Sequence, residues 1–116
     1  AATAFQAIGE SDQARVIVEA ALDAEWDAAL VQLYGEKPGA DALRRIEQAE
    51  RWLKTRRDDA ALLLTLGRLC AQQQLWGKAQ SYLEASIAVE ATYSAHLELA
   101  RLHERLERGD EARKHY

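Results

Sequence analysis

This chain of 116 residues has one cysteine, one proline and no methionine. A lone Cys70 excludes an internal disulfide. Proline is confined to Pro38 and glycine to 6 positions, while alanine and leucine dominate the apolar residues. Glycine and proline lose most on entering a helix and alanine and leucine least, so the composition predicts an all-α fold. No apolar run approaches the ~18 residues of a membrane-spanning helix, and the longest is Ala60-Ala61-Leu62-Leu63-Leu64. A charged-then-apolar leader is likewise missing. Catalytic and ligand motifs are scarce too. Gly35-Glu36-Lys37-Pro38-Gly39 lacks the spacing of a phosphate loop, and no His, Cys or carboxylate cluster has zinc spacing.

The net charge of -4 is mild and argues against nucleic-acid binding. Its distribution is uneven. Residues 1–35 carry Arg15 alone against Glu10, Asp12, Glu19, Asp23, Glu25 and Asp27, whereas residues 36–57 are rich in bases. Arg44, Arg45, Arg51, Lys54, Arg56 and Arg57 form the strongest basic cluster, suited to an anionic surface but interrupted by Glu47 and Glu50.

The organising stretch is residues 58–91, two amphipathic helices joined by a tight turn. Leu66-Gly67-Arg68-Leu69 recurs as Leu99-Ala100-Arg101-Leu102, and Ala79 and Leu83 recur at the same offset as Ala112 and Tyr116. A fixed period of this length is the mark of stacked helical hairpins, none of which buries its apolar face alone.

In chain order, an apolar piece at 1–8 precedes a turn at Gly9-Glu10-Ser11-Asp12, with Ser11 or Asp12 as cap. A helix over 13–23 has Ala14, Ile17 or Val18, Ala21 and Leu22 inward. One over 25–35 has Trp26, Ala29, Leu30, Leu33 and Tyr34 inward, and Lys37-Pro38-Gly39 breaks it. Asp41 caps a fourth, with Leu43, Ile46, Ala49 or Trp52, and Leu53 inward and Arg44, Arg45, Arg51 and Lys54 elsewhere. Helices over 59–73, 76–89 and 93–107 follow, and Gly109-Asp110 opens an eighth. The expected fold is a single domain over 1–116, an all-α, right-handed solenoid of about four antiparallel hairpins.

The central unit resembles the tetratricopeptide repeat (TPR). Leu63, Leu66, Gly67 and Cys70 match that family's first helix, and Ala79, Leu83 and Ser86 its second. The next unit offers His96, Leu99, Ala100, His103, Ala112 and Tyr116. The family's closing proline is replaced by Arg57 and Ala91, and Tyr34 stands where a small residue is usual. More narrowly, LRRIEQAERWLK (43–54), the run LLLTLGRLCAQQQLWGKAQSYLEASI (62–87) and LVQLYG (30–35) are similar to the carboxy-terminal repeat domain of HemY-type proteins of bacterial haem biosynthesis. The resemblance implies a fragment of a longer protein, anchored in the bacterial inner membrane by an absent amino-terminal segment. The repeat domain would face the cytoplasm as a non-catalytic scaffold for partner proteins, among them enzymes of porphyrin synthesis. It implies no cofactor. No G-x-G-x-x-G follows a strand, so the flavin-dependent oxidase that has shared the name is not implied.

Each chemical candidate has a plainer alternative. Cys70 falls on the inward phase among Leu63, Leu66 and Leu69, as a small core residue rather than a nucleophile. His96 and His103 lie two turns apart, ~10 Å along a helix and too far to share one ion, so a direct haem or porphyrin carrier is the second reading and packing histidines the first. Trp26, Trp52 and Trp76 are expected to wedge between hairpins.

The concave face is the candidate site. The resemblance maps its partner-binding positions to Leu64, Arg68, Gln72, Leu97, Arg101, Glu104 and Arg105, whereas the family's carboxylate clamp is unmatched by Leu64, Thr65 and Ser94. Arg68 and Arg101 hold equivalent places in consecutive units. Like charges stacked so closely predict either an anionic ligand or an intervening carboxylate such as Glu98. Partners would be proteins or peptides with acidic and apolar residues, or a second copy of the chain.

Overall fold

The computed structural model describes residues 2–36 and 41–114, with side chains for 13–36 and 41–108. These fold into helices without strands: α1 (Ala2–Ala24), α2 (Ala28–Tyr34), α3 (Ala42–Leu53), α4 (Ala60–Gln72), α5 (Trp76–Val89) and α6 (Tyr93–Lys114). None among the described residues is long and apolar enough to cross a membrane.

The chain is built around α4. Leu62, Leu63, Leu64, Thr65, Leu66, Gly67, Leu69 and Cys70 are all buried, and a helix apolar on every side must be enclosed by others. It contacts α2, α3, α5 and α6, and α5 packs in turn on α6. The first turn of α4 is capped by Asp59, whose carboxylate accepts from the Leu62 amide. Its last turn closes in the paired-carbonyl pattern of a Schellman motif: the Gln74 amide donates to the Ala71 carbonyl and the Leu75 amide to that of Cys70. Gln74 takes the left-handed conformation that this turn requires, at φ 61°. The two helices can then lie close because Gly67 has no side chain. A Cβ there would come 2.5 Å from Leu83 Cδ2 and 3.5 Å from the Ala79 carbonyl oxygen. Leu83 and Ala79 are themselves fully enclosed.

Polar ties add direction to this apolar packing. Thr65 Oγ1 donates to the Val31 carbonyl at 3.1 Å, joining α4 to α2. Ser86 Oγ donates to the Ala60 carbonyl at 2.9 Å, joining α5 to α4. From α5, Lys78 Nζ and the Tyr82 hydroxyl both reach Glu50 on α3.

The α1–α3 corner is assembled differently. Trp26 and Trp52 meet edge to face at 5.4 Å, and Tyr34 lies 5.3 Å from Trp52. The indole N–H groups are satisfied by Asp59 and Asp23 respectively, and the Arg56 guanidinium covers the Trp26 ring at 4.0 Å. Beside them, Asp41 Oδ2 lies 3.1 Å from Arg15 Nε and 3.2 Å from Arg45 Nε, and Arg45 also donates to the Tyr34 carbonyl. Asp41 stands at the start of α3 as expected, yet its side chain makes no capping bond. Ion pairing has taken the carboxylate instead. Arg45, expected on the surface, is buried by the same contacts. The Tyr34 hydroxyl is buried without a hydrogen-bond partner among the described residues. Burial, reinforced by Glu19, keeps that hydroxyl protonated well above its ordinary range, with Arg45 and Arg15 pulling the other way.

Several expectations are corrected. The backbone runs through Gly9 to Asp12 as uninterrupted helix, and through Gly109-Asp110 likewise, so eight expected helices become six among the described residues. An isolated glycine costs a helix only about 1 kcal/mol and does not break it without proline or a competing cap. The real starts are elsewhere: Asp27 caps α2 through the Ala29 and Leu30 amides, and Thr92 Oγ1 accepts from the Ala95 amide to open α6. Leu33 and Leu43, expected inward, are 55% and 59% exposed, while Val31, Tyr34, Ala42, Ile46, Ala49 and Trp52 face the core. In α1, Val18 and Leu22 turn inward and Ile17 outward. The breaker at Lys37-Pro38-Gly39 and the recurrences at Ala112 and Tyr116 lie outside the residues whose side chains are described.

Candidate functional site

The start of a groove is the end of α2. There Gly35 presses against α4, so closely that a Cβ would stand 2.8 Å from Thr65 Cγ2, and Gln72 Nε2 reaches the Gly35 carbonyl at 3.4 Å. The groove runs from this junction across α4 to α6, with a volume of about 550 Å³. Arg68, Ala71 and Gln72 line it from α4; Glu98, Arg101, Leu102 and Arg105 line it from α6; Gly35 and Glu36 close one end.

Four of the seven expected partner-binding residues, Arg68, Gln72, Arg101 and Arg105, therefore share one groove. The other three do not. Leu64 is buried in the core and borders a separate, smaller hollow of about 250 Å³ beside Ala60 and Ser94. Leu97 is half-buried and lines none of these hollows, and Glu104 is exposed and pairs along its own helix with Arg108 at 2.6 Å. Leu64 falls on the enclosed side of α4 and is core there, whereas Leu97 and Glu104 fall on parts of α6 that do not line the groove. The apolar contribution to the groove comes from Ala71 and Leu102 instead.

Electrostatically the groove sets three guanidinium groups against the carboxylates of Glu36 and Glu98. Arg68 and Arg101 do stand next to one another, and the carboxylate between them is present. Glu98 Oε1 lies 3.4 Å from Arg68 Nε and 3.5 Å from Arg101 Nη1. Arg68 is held with only 19% of its side chain exposed, against 60% for Arg101. Arg105 lines the same wall with no ion pair to a described residue. Sequence reasoning passed over the α2 end of the groove. Gly35 closing an apolar helix was the available signal, since a small residue there lets the α2 carbonyls approach α4.

The remaining candidates resolve into ordinary structure. Cys70 is enclosed completely, and burial, with Glu50 adding and Lys78 opposing, pushes its thiol up to about 11. His96 and His103 are exposed, against the expectation that they pack. Ala95 and Leu102 hold the inner face of α6, with Leu99 and Leu106 beside them. Because α6 continues past Gly109, no helix among the described residues covers Ala100 as α5 covers Gly67. Among those residues, no three His, Cys, Asp or Glu side chains are grouped to hold a metal. The basic cluster is dispersed: Arg45 is buried, Arg56 covers Trp26 and Arg51 bonds Gln48. In comparisons with known proteins, no family model, curated protein or solved structure matches this chain.

Proposed function

We propose that this chain is a non-catalytic interaction scaffold that takes an extended acidic segment of a partner protein in the groove between α2, α4 and α6. The observation that carries the reading is the convergence of Arg68, Gln72, Arg101 and Arg105 from two helices on one wall. Guanidinium groups bind carboxylates through paired N–H donors, and a neighbouring carbonyl-bonded amide such as Gln72 suits an extended backbone. With only Ala71 and Leu102 as apolar lining, charge supplies most of the recognition, so binding should weaken steeply with salt.

The wider architecture that accompanies this reading is a right-handed, TPR-like stack. Its support is that α4 neighbours both α2 and α6, with α3 and α5 against it and joined through Glu50. The biological setting we propose is that of the HemY-type proteins, whose likeness rests on residues 30–35, 43–54 and 62–87. In that setting the domain belongs to a parent anchored in the bacterial inner membrane, faces the cytoplasm and gathers enzymes of late porphyrin synthesis.

A peptide-display selection tests the groove. Enriched sequences should be dense in Asp and Glu, and the double variant Arg101→Gln with Arg105→Gln should lose them while Arg44→Gln with Arg51→Gln keeps them. Enrichment of basic or purely apolar peptides, or loss by the α3 pair alone, would overturn the reading. For the setting, a photo-crosslinker at Gln72 in the membrane-anchored parent should give adducts with porphyrin-synthesis enzymes that the same crosslinker at Arg44 does not.

A further inference from the structure

Glu98 is an odd neighbour for a surface that recognises acid. A single oxygen, Oε1, faces both Arg68 Nε and Arg101 Nη1, at 3.4 and 3.5 Å. Charge-assisted N–H···O bonds normally run at about 2.7–2.9 Å, and elsewhere in this chain Arg108 and Glu104 approach to 2.6 Å. Glu98 therefore holds its two arginines as loose ion pairs, without the paired fork that a guanidinium can make. Each guanidinium carries five N–H donors, and neither Arg68 nor Arg101 makes a side-chain hydrogen bond to another described residue. Their remaining donors lie beside Arg105, which has no ion pair to a described residue.

We propose that Glu98 is an internal stand-in for the partner's carboxylate: it keeps Arg68 and Arg101 side by side along the groove and yields them to an incoming acidic peptide. The proposal rests on the groove reading above and adds how that site is held and set in affinity. Without Glu98 two guanidinium groups one helix apart would repel and splay. With it they stay within reach of one oxygen, so the positions a ligand needs are formed in advance. The cost is competition. A peptide carboxylate must displace Glu98, and gains by replacing two long contacts with short paired bonds. Glu98 thus lowers affinity while raising selectivity, because a ligand without a carboxylate cannot make the exchange.

The test measures fluorescence anisotropy with a short fluorescein-labelled peptide of alternating glutamate and leucine, at low salt. The proteins are wild type, Glu98→Gln, Glu98→Ala and Glu107→Gln, each checked for helix content. Glu107 is exposed on the same helix, so Glu107→Gln makes the same change in net charge without freeing either arginine. Both Glu98 variants should bind about fivefold to tenfold tighter than wild type, the effect of releasing two partly exposed ion pairs, and Glu107→Gln should stay within about twofold. If the Glu98 variants bind like wild type or more weakly, or Glu107→Gln tightens as much, the stand-in role is overturned. The groove reading survives those results provided that Arg101→Gln with Arg105→Gln abolishes binding. If the peptide binds neither wild type nor the Glu98 variants, the groove reading falls and this inference with it.

Discussion

The α1–α3 corner and the α4–α5 hairpin solve the same packing problem in opposite ways. The hairpin brings backbones together through Gly67 and Ala79 and fills the seam with Leu66, Leu69 and Leu83. The corner stacks Trp26, Trp52 and Tyr34 and buries Asp41 and Arg45 beside them. Close apolar packing repeats easily from unit to unit, since it asks only for small and aliphatic residues at set spacings. The corner depends on particular pairs, each made once. The difference also sets how far damage should travel: α4 touches four other helices, whereas the corner meets the rest mainly through α4.

Breaking the corner should have the largest direct cost. Trp52→Ala removes a buried indole and leaves Asp23 without its donor, at about 3–5 kcal/mol. Hydrogen exchange should then speed in α1–α3 while α4 and α5 remain protected. Equal loss of protection in α5 would show that the two regions are one cooperative unit. Gly67→Leu should cost about 3 kcal/mol, by driving a side chain into Leu83. Here exchange should rise throughout, because the helix that every neighbour leans on has been displaced.

Cys70 reports which case applies. In wild type the thiol should label slowly with a neutral-pH thiol reagent, because it is enclosed and held protonated. It should stay slow in Trp52→Ala and become fast in Gly67→Leu. Its titration has a consequence for stability as well. The native thiol keeps its proton up to about 11, while the unfolded one releases it near 9.0. The unfolded state therefore binds fewer protons between those values, and stability falls as pH rises from 9 to 11. Cys70→Ala should reduce that slope, leaving above pH 10 the part contributed by the raised Tyr34 and Tyr82 hydroxyls.

The smallest effects are a matched pair of gains, one in each region. Tyr34→Phe removes a buried hydroxyl that has no partner among the described residues, and should stabilise the corner by up to about 1 kcal/mol. Gln74→Gly relieves a left-handed backbone in the turn after α4, worth about 0.5–1 kcal/mol. Additivity of the two in the double variant would support independent regions, and a shortfall would indicate coupling.

How legible each region was in the sequence follows from the same contrast. The α4–α5 unit follows local rules, and its expected limits of 59–73 and 76–89 match Ala60–Gln72 and Trp76–Val89 closely. Gly67 and Cys70 were readable as core because their neighbours repeat. The corner was less readable: the i,i+4 spacing of Asp41 and Arg45 is local, but nothing local says that Arg15 of α1 will join Asp41 or that the pair will be buried. Leu33 and Leu43 misled for a related reason: helical spacing alone does not choose which of two apolar edges the tertiary contacts cover. The α6 histidines, one period after the buried Leu63 and Cys70, are exposed because fewer helices among the described residues pack on α6 than on α4. For the groove, the period correctly brought Arg68 beside Arg101, and Glu98 was visible as the carboxylate between them. Leu64 was lost to the core, and the α2 rim had no counterpart in the repeat.

The most direct test of the account is an NMR titration that follows the arginine Nε–H resonances as an acidic peptide is added. Arg68, Arg101 and Arg105 should shift together and saturate at one ligand concentration, with Arg44, Arg51 and Arg57 unmoved. Shifts confined to Arg44, Arg51 and Arg57 would contradict the account and transfer the binding surface to α3 and the connector that follows it.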